Sequence, residues 1–284
     1  MTEAHEDHLL CLSKTGFHKL SYRVYGLDHP RPIVCVHGLG RNARDFDTLA
    51  GILAAGGRRV ICADVVGRGA SGWLNDPMDY GYPQYLADMS SLIARLDCQA
   101  VDWVGTSMGG LIGMMLAAMP GNPIRRLVVN DVGAFIPKNA LLRIFEYFGK
   151  DPYFPDLAAA EVYLREIYRS FGDLMDEQWC HLTETSLRRD GAGWRLHYDP
   201  QIAAPLEALE VDDLDLWSFW DAITCPVLLL RGAESDLLLR ETAEEMTRRG
   251  PKATLREFPG CGHAPALLDR QQTEPVVTWL ASES

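Results

Sequence analysis

The stretch Val101-Asp-Trp-Val-Gly-Thr-Ser-Met-Gly-Gly110 decides how the rest of this 284-residue chain is read. Residues Ala100 to Val104 have the composition of a short buried strand, and Leu111 to Met119 that of a buried helix ended by Pro120-Gly121. Between them lies Gly105-Thr106-Ser107-Met108-Gly109. A G-x-S-x-G turn joining a strand to a helix is a nucleophile elbow, bent so sharply that the serine Oγ is pushed out of the sheet. Glycine is required at 105 and 109 because a side chain there would strike the opposing strand or helix as the backbone doubles back. Ser107 is therefore the first candidate for chemistry.

Outward from the elbow, strand-like and helix-like segments alternate. Leu9 to Ser13 and Phe17 to Tyr25, joined by Lys14-Thr-Gly16, read as a hairpin. Ile33 to Val36, Arg59 to Ala63 and Arg126 to Asn130 read as strands, with helices over Ala43 to Ala55 and Pro83 to Leu96. This alternation specifies an α/β fold with a mostly parallel central sheet and helices on both faces. It pauses at Asp131 and resumes with the strand Pro226 to Leu230, followed by a strand at Thr254 to Phe258 and a closing helix that ends over Pro275 to Leu280. One crossover helix needs far fewer residues than that interval holds. Residues 133–215 are accordingly expected to form an inserted helical cap, with 1–132 and 216–284 as the core domain. Within the insertion, Ala140 to Phe148, Leu157 to Phe171 and Asp176 to Leu187 carry apolar residues at helical spacing.

Composition narrows the function. Hydrophobic residues make up 47% and charged residues 23%, enough apolar material for a large core. A formal net charge of -12, with no Lys/Arg-rich run to offset it, argues against nucleic acid or an anionic membrane as partner. The opening Met1-Thr-Glu-Ala-His-Glu-Asp-His is acidic and polar where a signal peptide is basic and then apolar, and no stretch approaches the roughly 20 apolar residues of a membrane span. A cytoplasmic chain, monomeric or homodimeric and acting on a small molecule, is the expectation. Seven cysteines without a C-x-x-C pair, several of them (Cys35, Cys62, Cys225) in or beside apolar runs, read as buried reduced thiols. His5 and His8 are spaced like metal ligands but fall in what reads as a mobile tail without a second pair, so no metal site is expected, and the serine chemistry read below calls for no cofactor.

In a doubly wound sheet, ligands sit outside the carboxyl ends of the strands. Four strand ends here carry suitable groups: His37-Gly38-Leu39-Gly40, Ser107, Asp236 and His263. The order Ser, Asp, His is the one that follows a nucleophile elbow. A serine hydroxyl needs a base that titrates near neutrality, which His263, on the glycine-rich Gly260-Cys-Gly-His-Ala-Pro265, is placed to supply. An acid then fixes the imidazole tautomer and stabilises the imidazolium. Asp236 is preferred for this, with Asp131, directly after the preceding strand, and Glu234 as alternatives. His37 is the rival base, read as structural because it adjoins the turn after the first parallel strand.

The chain at this point resembles the α/β-hydrolase superfamily, in particular its cap-bearing, serine esterase-like branch. The resemblance rests on His37-Gly38, Asp64-Val-Val-Gly-Arg-Gly-Ala-Ser71, the Gly-Thr-Ser-Met-Gly-Gly elbow, Gly232-Ala-Glu-Ser-Asp236 and Gly260-Cys-Gly-His263. It implies that the backbone amides of Leu39 and Met108 form an oxyanion hole and that the loop after Asp64 is architectural. Relatives with an aspartate nucleophile, the haloalkane dehalogenases and epoxide hydrolases, are disfavoured by the serine at 107. The implied activity is hydrolysis of a carboxylic ester of small or medium apolar character through an acyl-enzyme. Carbon–carbon hydrolysis of a vinylogous diketone, lactonase or thioesterase action use the same three residues, and an acyltransferase, a perhydrolase or a ligand receptor is a further reading. Tyr153, Phe154, Tyr163, Tyr168 and the Trp217 to Trp220 cluster are candidates to line an acyl pocket, with core packing as the commoner role. Arg188, Arg189 and Arg195 are expected on a solvated face.

Overall fold

The computed structural model describes residues 4–26, 29–208 and 210–282. The N-terminal hairpin is present, with β1 (His5–Ser13) paired antiparallel to β2 (Gly16–Tyr25). Its first strand begins at His5, so the histidines expected in a mobile tail are held in a sheet. Side chains three apart on a strand point to opposite faces, which separates His5 from His8 as a ligand pair. The hairpin is tied inward by His18, whose Nε2 lies 2.9 Å from Asp88 Oδ2, both side chains being buried.

β3 (Ile33–Val36), α1 (Asp47–Ala55), β4 (Val60–Ala63), α2 (Tyr82–Arg95), β5 (Val101–Thr106), α3 (Met108–Ala117) and β6 (Ile124–Asn130) follow in alternation. Strand-length apolar runs are what a parallel sheet covered on both faces demands. Along β3, Val34 and Val36 join Ile61, Trp103, Leu127 and Val129 on one face, while Ile33 and Cys35 join Val60, Cys62, Val104 and Val128 on the other. Cys35 and Cys62 are register partners and all seven cysteines are free.

After β6 the chain leaves the sheet through β7 (Phe135–Ile136) and makes a long excursion: α4 (Lys138–Phe145), α5 (Leu157–Ile167), α6 (Asp176–Ser186), the hairpin β8 (Leu187–Asp190) and β9 (Gly193–Leu196), and the short α7 (Ala204–Glu207). It returns through β10 (Leu214–Asp215), which pairs antiparallel with β7. The sequence shows the three longer helices but not the β8–β9 hairpin, because its arginines hide a period-two pattern. Arg189, whose guanidinium lies 4.0 Å from the Trp194 ring, is exposed as expected, whereas Arg195, paired with Asp190 and Asp151, and Arg188, 5.4 Å from the Trp73 ring, are half-buried. α8 (Trp217–Ala222), β11 (Val227–Gly232), α9 (Arg240–Met246), β12 (Thr254–Phe258) and α10 (Arg270–Ala281) complete the chain. The sheet order is β1-β2-β4-β3-β5-β6-β11-β12, parallel from β4 onward and antiparallel at the β1–β2–β4 edge.

The centre of this sheet is where β5 turns into α3. α3 starts at Met108, three residues before the expected Leu111, because Gly109 and Gly110 are helical rather than part of an extended turn. An added Cβ at Gly109 would lie 2.0 Å from the Val36 carbonyl oxygen, and one at Gly105 2.2 Å from the Gly109 oxygen. Trp103, fully buried, donates its Nε1–H to that same Gly109 oxygen at 3.0 Å. Because both colliding atoms are backbone of central elements, nothing there can yield. We predict that Gly109→Ala costs more than about 4 kcal/mol of stability or yields no soluble protein. Gly51→Ala, at an α1 position with open space around it, should be neutral or stabilising by up to about 1 kcal/mol. Urea unfolding of both variants checks this, and a wild-type midpoint for Gly109→Ala would show that the crossing has slack.

Candidate active site

Ser107 sits between β5 and α3 with φ 52° and ψ -115°, a conformation that a non-glycine residue holds only when its surroundings enforce it. The enforcement is visible: its N–H donates to the Asn130 carbonyl at 2.9 Å, and its own carbonyl accepts from Leu111 N–H at 3.0 Å. Next to it, the turn after β3 is closed by a hydrogen bond from Arg41 N–H to the Gly38 carbonyl at 3.1 Å. The backbone N–H groups of Leu39 and Met108 have no acceptor among the described residues. Ser107, Gly38, Leu39 and His263 all border one cavity of about 70 Å³.

His263 does not meet Asp236. Its Nδ1 lies 2.8 Å from Asp131 Oδ2, and Asp131 is fully buried. Asp131 accepts two further hydrogen bonds, from Gly232 N–H to Oδ1 at 2.7 Å and from the Ser235 hydroxyl to Oδ2 at 2.6 Å. Asp236, the residue preferred from the sequence, is half exposed and makes a bidentate pair with Arg143 of α4 at 2.6 and 2.9 Å. The physical reason is reach. β11 ends at Gly232, and the turn that follows, held by Ser235 Oγ accepting from Leu237 and Leu238 N–H, carries position 236 outward. Asp131 follows β6 immediately, as Ser107 follows β5, and that shared position directly after a strand was the available signal.

His37 is fully buried and committed elsewhere. Its Nε2 accepts the Val65 N–H at 3.0 Å, which leaves Nδ1 to donate to the Gly38 carbonyl at 2.7 Å. Burial, and then the Arg68 and Arg41 charges, push its pKa down to about 3 against the opposing pull of the Gly38 bond. It is a neutral strut. Asp64 in the neighbouring loop accepts from Ala43 N–H at 2.7 Å and Ala70 N–H at 2.9 Å, and burial pushes its pKa up to about 6.

Of the expected aromatic candidates, Tyr168 borders the cavity, together with Tyr147, Phe148, Phe171 and Tyr198, which sequence reasoning had not singled out. Phe154 and Tyr163 pack on each other at 5.3 Å, and Trp220 is fully buried with its Nε1–H on the Arg249 carbonyl, both core roles. Arg41 was also missed: it faces the cavity, paired with Asp45 at 2.6 Å and donating to Ser186 Oγ at 2.6 Å. The excursion between β7 and β10 is fastened to four strand-end loops around the site. Asn42 Nδ2 donates to the Thr185 carbonyl, Gly69 N–H to the His197 carbonyl, Arg143 to Asp236, and Gly262 N–H to the Ser170 carbonyl.

Comparison with known proteins places the chain in one family. The sequence pattern of the alpha/beta hydrolase family matches residues 33–277. The chain is 47% identical over 272 residues to a 3-hydroxybutyrate-oligomer hydrolase of Cupriavidus necator, with 92% of each chain covered. It is 28% identical to an esterase of Mycobacterium tuberculosis, covering 79% of this chain and 73% of the esterase. Among solved structures, an alpha/beta hydrolase from Novosphingobium aromaticivorans superposes with a TM-score of 0.88 at 35% identity, over 99% of both chains. With its parallel sheet, its elbow and its strand-end histidine, this chain belongs to the alpha/beta hydrolase family.

Proposed function

We propose that this hydrolase cleaves carboxylic esters through Ser107, His263 and Asp131, and that its substrates are short oligoesters of 3-hydroxy acids. The observation that carries the reading is the pair of buried Asp131 with half-buried His263, whose ring borders the cavity that Ser107 also borders. With its Nδ1–H held by Asp131, His263 has Nε2 free to take the Ser107 proton as Oγ attacks the ester carbonyl. The negative charge that develops on the carbonyl oxygen is then held by the unpartnered N–H groups of Leu39 and Met108, the latter at the positive end of α3. The imidazolium returns its proton to the departing alkoxide. Water, deprotonated by the same histidine, attacks the acyl-enzyme and releases the free acid.

The ester class is supported by the relatives, and the oligomer by the first of them, which acts on 3-hydroxybutyrate oligomers. Residues 133–215 act as the cap: their aromatic side chains roof the cavity, whose small volume suits one short acyl unit better than a long chain. No helix among the described residues is long and apolar enough to cross a membrane.

Three outcomes follow. Ser107→Ala should abolish hydrolysis of 3-hydroxybutyrate trimer, on the order of 10⁶ in kcat. Asp131→Asn should lower kcat by about 10⁴, whereas Asp236→Asn, which loses a solvated ion pair, should stay within about threefold. The reverse ranking in acid-release kinetics would return the acid role to Asp236. Second, hydroxybutyrate dimers and trimers should exceed emulsified triolein by at least about 100-fold in kcat/KM, an expectation built on the small cavity beneath the aromatic roof; comparable values would mean that the cap does not select by size. Third, the His37 ring should stay neutral from pH 8 to about 4. The stability it lends is present above its unfolded pKa of about 6.5 and is lost as pH falls toward 3, because the unfolded chain takes up the proton first. Imidazole ¹⁵N shifts of histidine-labelled protein report this directly, and a His37 titration between pH 6 and 7 would contradict the strut assignment.

A further inference from the structure

Arg68 is fully enclosed in protein, and among the described residues no carboxylate lies within ion-pair distance of it. Two other enclosed arginines differ: Arg41 has Asp45 and Arg231 has Glu257, each at 2.6 Å. Moving a cation out of water is costly unless its hydrogen bonds are remade. Arg68 remakes them entirely with neutral groups. Nε donates to the Leu39 carbonyl at 3.0 Å, and Nη1 to the Val66 carbonyl at 2.8 Å and the Tyr85 hydroxyl at 3.0 Å. Nη2 lies 3.9 Å from Met108 Sδ, and the guanidinium stands 5.1 Å from the Tyr85 ring and 6.0 Å from that of Tyr80. The nearest acid in this chain of contacts is one tyrosine away, since the Tyr80 hydroxyl donates to Asp199 at 2.7 Å.

Two of those contacts fall on the residues whose amides are free, Leu39 and Met108. We infer that Arg68 is a positioning residue for the oxyanion hole, a fixed buried cation that locks the Leu39 turn and stabilises negative charge as it develops beside it; this rests on the function proposed above. Its Nε bond to the Leu39 carbonyl and the Arg41-to-Gly38 bond brace the turn from both sides, so the Leu39 N–H is aimed before substrate arrives. The counter-charge missing in the resting protein is present only in the tetrahedral state. Such an interaction raises kcat while leaving ground-state binding nearly unchanged. Arg68 does not border the cavity, so it cannot serve as a receptor for a substrate carboxylate.

The test compares wild type, Arg68→Met, Arg68→Lys and Ser107→Ala on 3-hydroxybutyrate trimer and a p-nitrophenyl ester, with active sites titrated and Tm measured. A short alkylboronic acid, which takes up a serine oxygen to become a tetrahedral anion, serves as a second readout. Arg68→Met is expected to lower kcat by about 10- to 100-fold, less than loss of a direct oxyanion donor, with KM within about threefold and the boronate Ki weakened in proportion to kcat. Arg68→Lys, which keeps the charge but not the fork, should fall between. If Arg68→Met does not fold, the lysine variant decides, because a purely structural strap would lower its Tm while sparing kcat and Ki. Unchanged kcat and boronate Ki in folded variants, with Ser107→Ala inactive, overturns the inference alone. Activity surviving in Ser107→Ala overturns instead the reading on which it rests.

Discussion

The approach of Gly109 to the Val36 carbonyl is the tightest constraint in the molecule, and the site is arranged around it. With no side chain at that point, α3 can start against the end of β3, and the Gly109 N–H can donate to the His37 carbonyl at 3.1 Å. This single crossing sets the turn after β3 beside the first turn of α3. Two amides from distant parts of the chain, Leu39 and Met108, are thereby brought to the same crossing, with Arg68 reaching both residues from behind. The strained Ser107 backbone follows from the same crossing, since the chain must reverse within one residue between a central strand and its helix.

A second layer of order comes from the ends of β5 and β6. Asn130, the last residue of β6, donates from Nδ2 to the Thr106 hydroxyl at 3.1 Å and to the Pro265 carbonyl at 2.9 Å. It therefore fixes the loop bearing His263 relative to the strand bearing Ser107. Asp131, one residue on, accepts from the backbone at Gly232, from Ser235 and from His263. A carboxylate so engaged has little freedom to rotate. The imidazole orientation is therefore set by three strand ends at once rather than by any one loop.

What was legible in the sequence is what local sterics write into it. Ser107 stands in a glycine frame that only a tight strand-to-helix turn requires, and His263 on a glycine-rich loop after the last strand. The alternation of apolar runs gave the parallel sheet and the long interval gave the excursion. Asp131 against Asp236 was a question of which way the turn after β11 carries its carboxylate, and the Ser235 hydrogen bonds that send Asp236 toward Arg143 leave no mark in the sequence. Arg41 and Arg68 were illegible for a different reason: an arginine beside glycines reads as solvated, and only the packing of tyrosines around it shows that it is enclosed. The β8–β9 hairpin was hidden in the same way, by arginines whose guanidinium groups lie over aromatic rings.

The pairing of β7 with β10 has a consequence for how such a protein changes over generations. The chain departs from the sheet and comes back at adjacent points, so the ends of the excursion are already closed by two residue pairs of antiparallel ladder. A change in the length of what lies between adds loop entropy only as the logarithm of length, while its buried side chains, Ile144, Leu164 and Leu182 among them, still have to pack into the same cluster as the sheet. The sheet and its elbow can thus stay fixed while the roof is rewritten. Any replacement meets the same landing sites on the four loops below, which limits how it can sit over them.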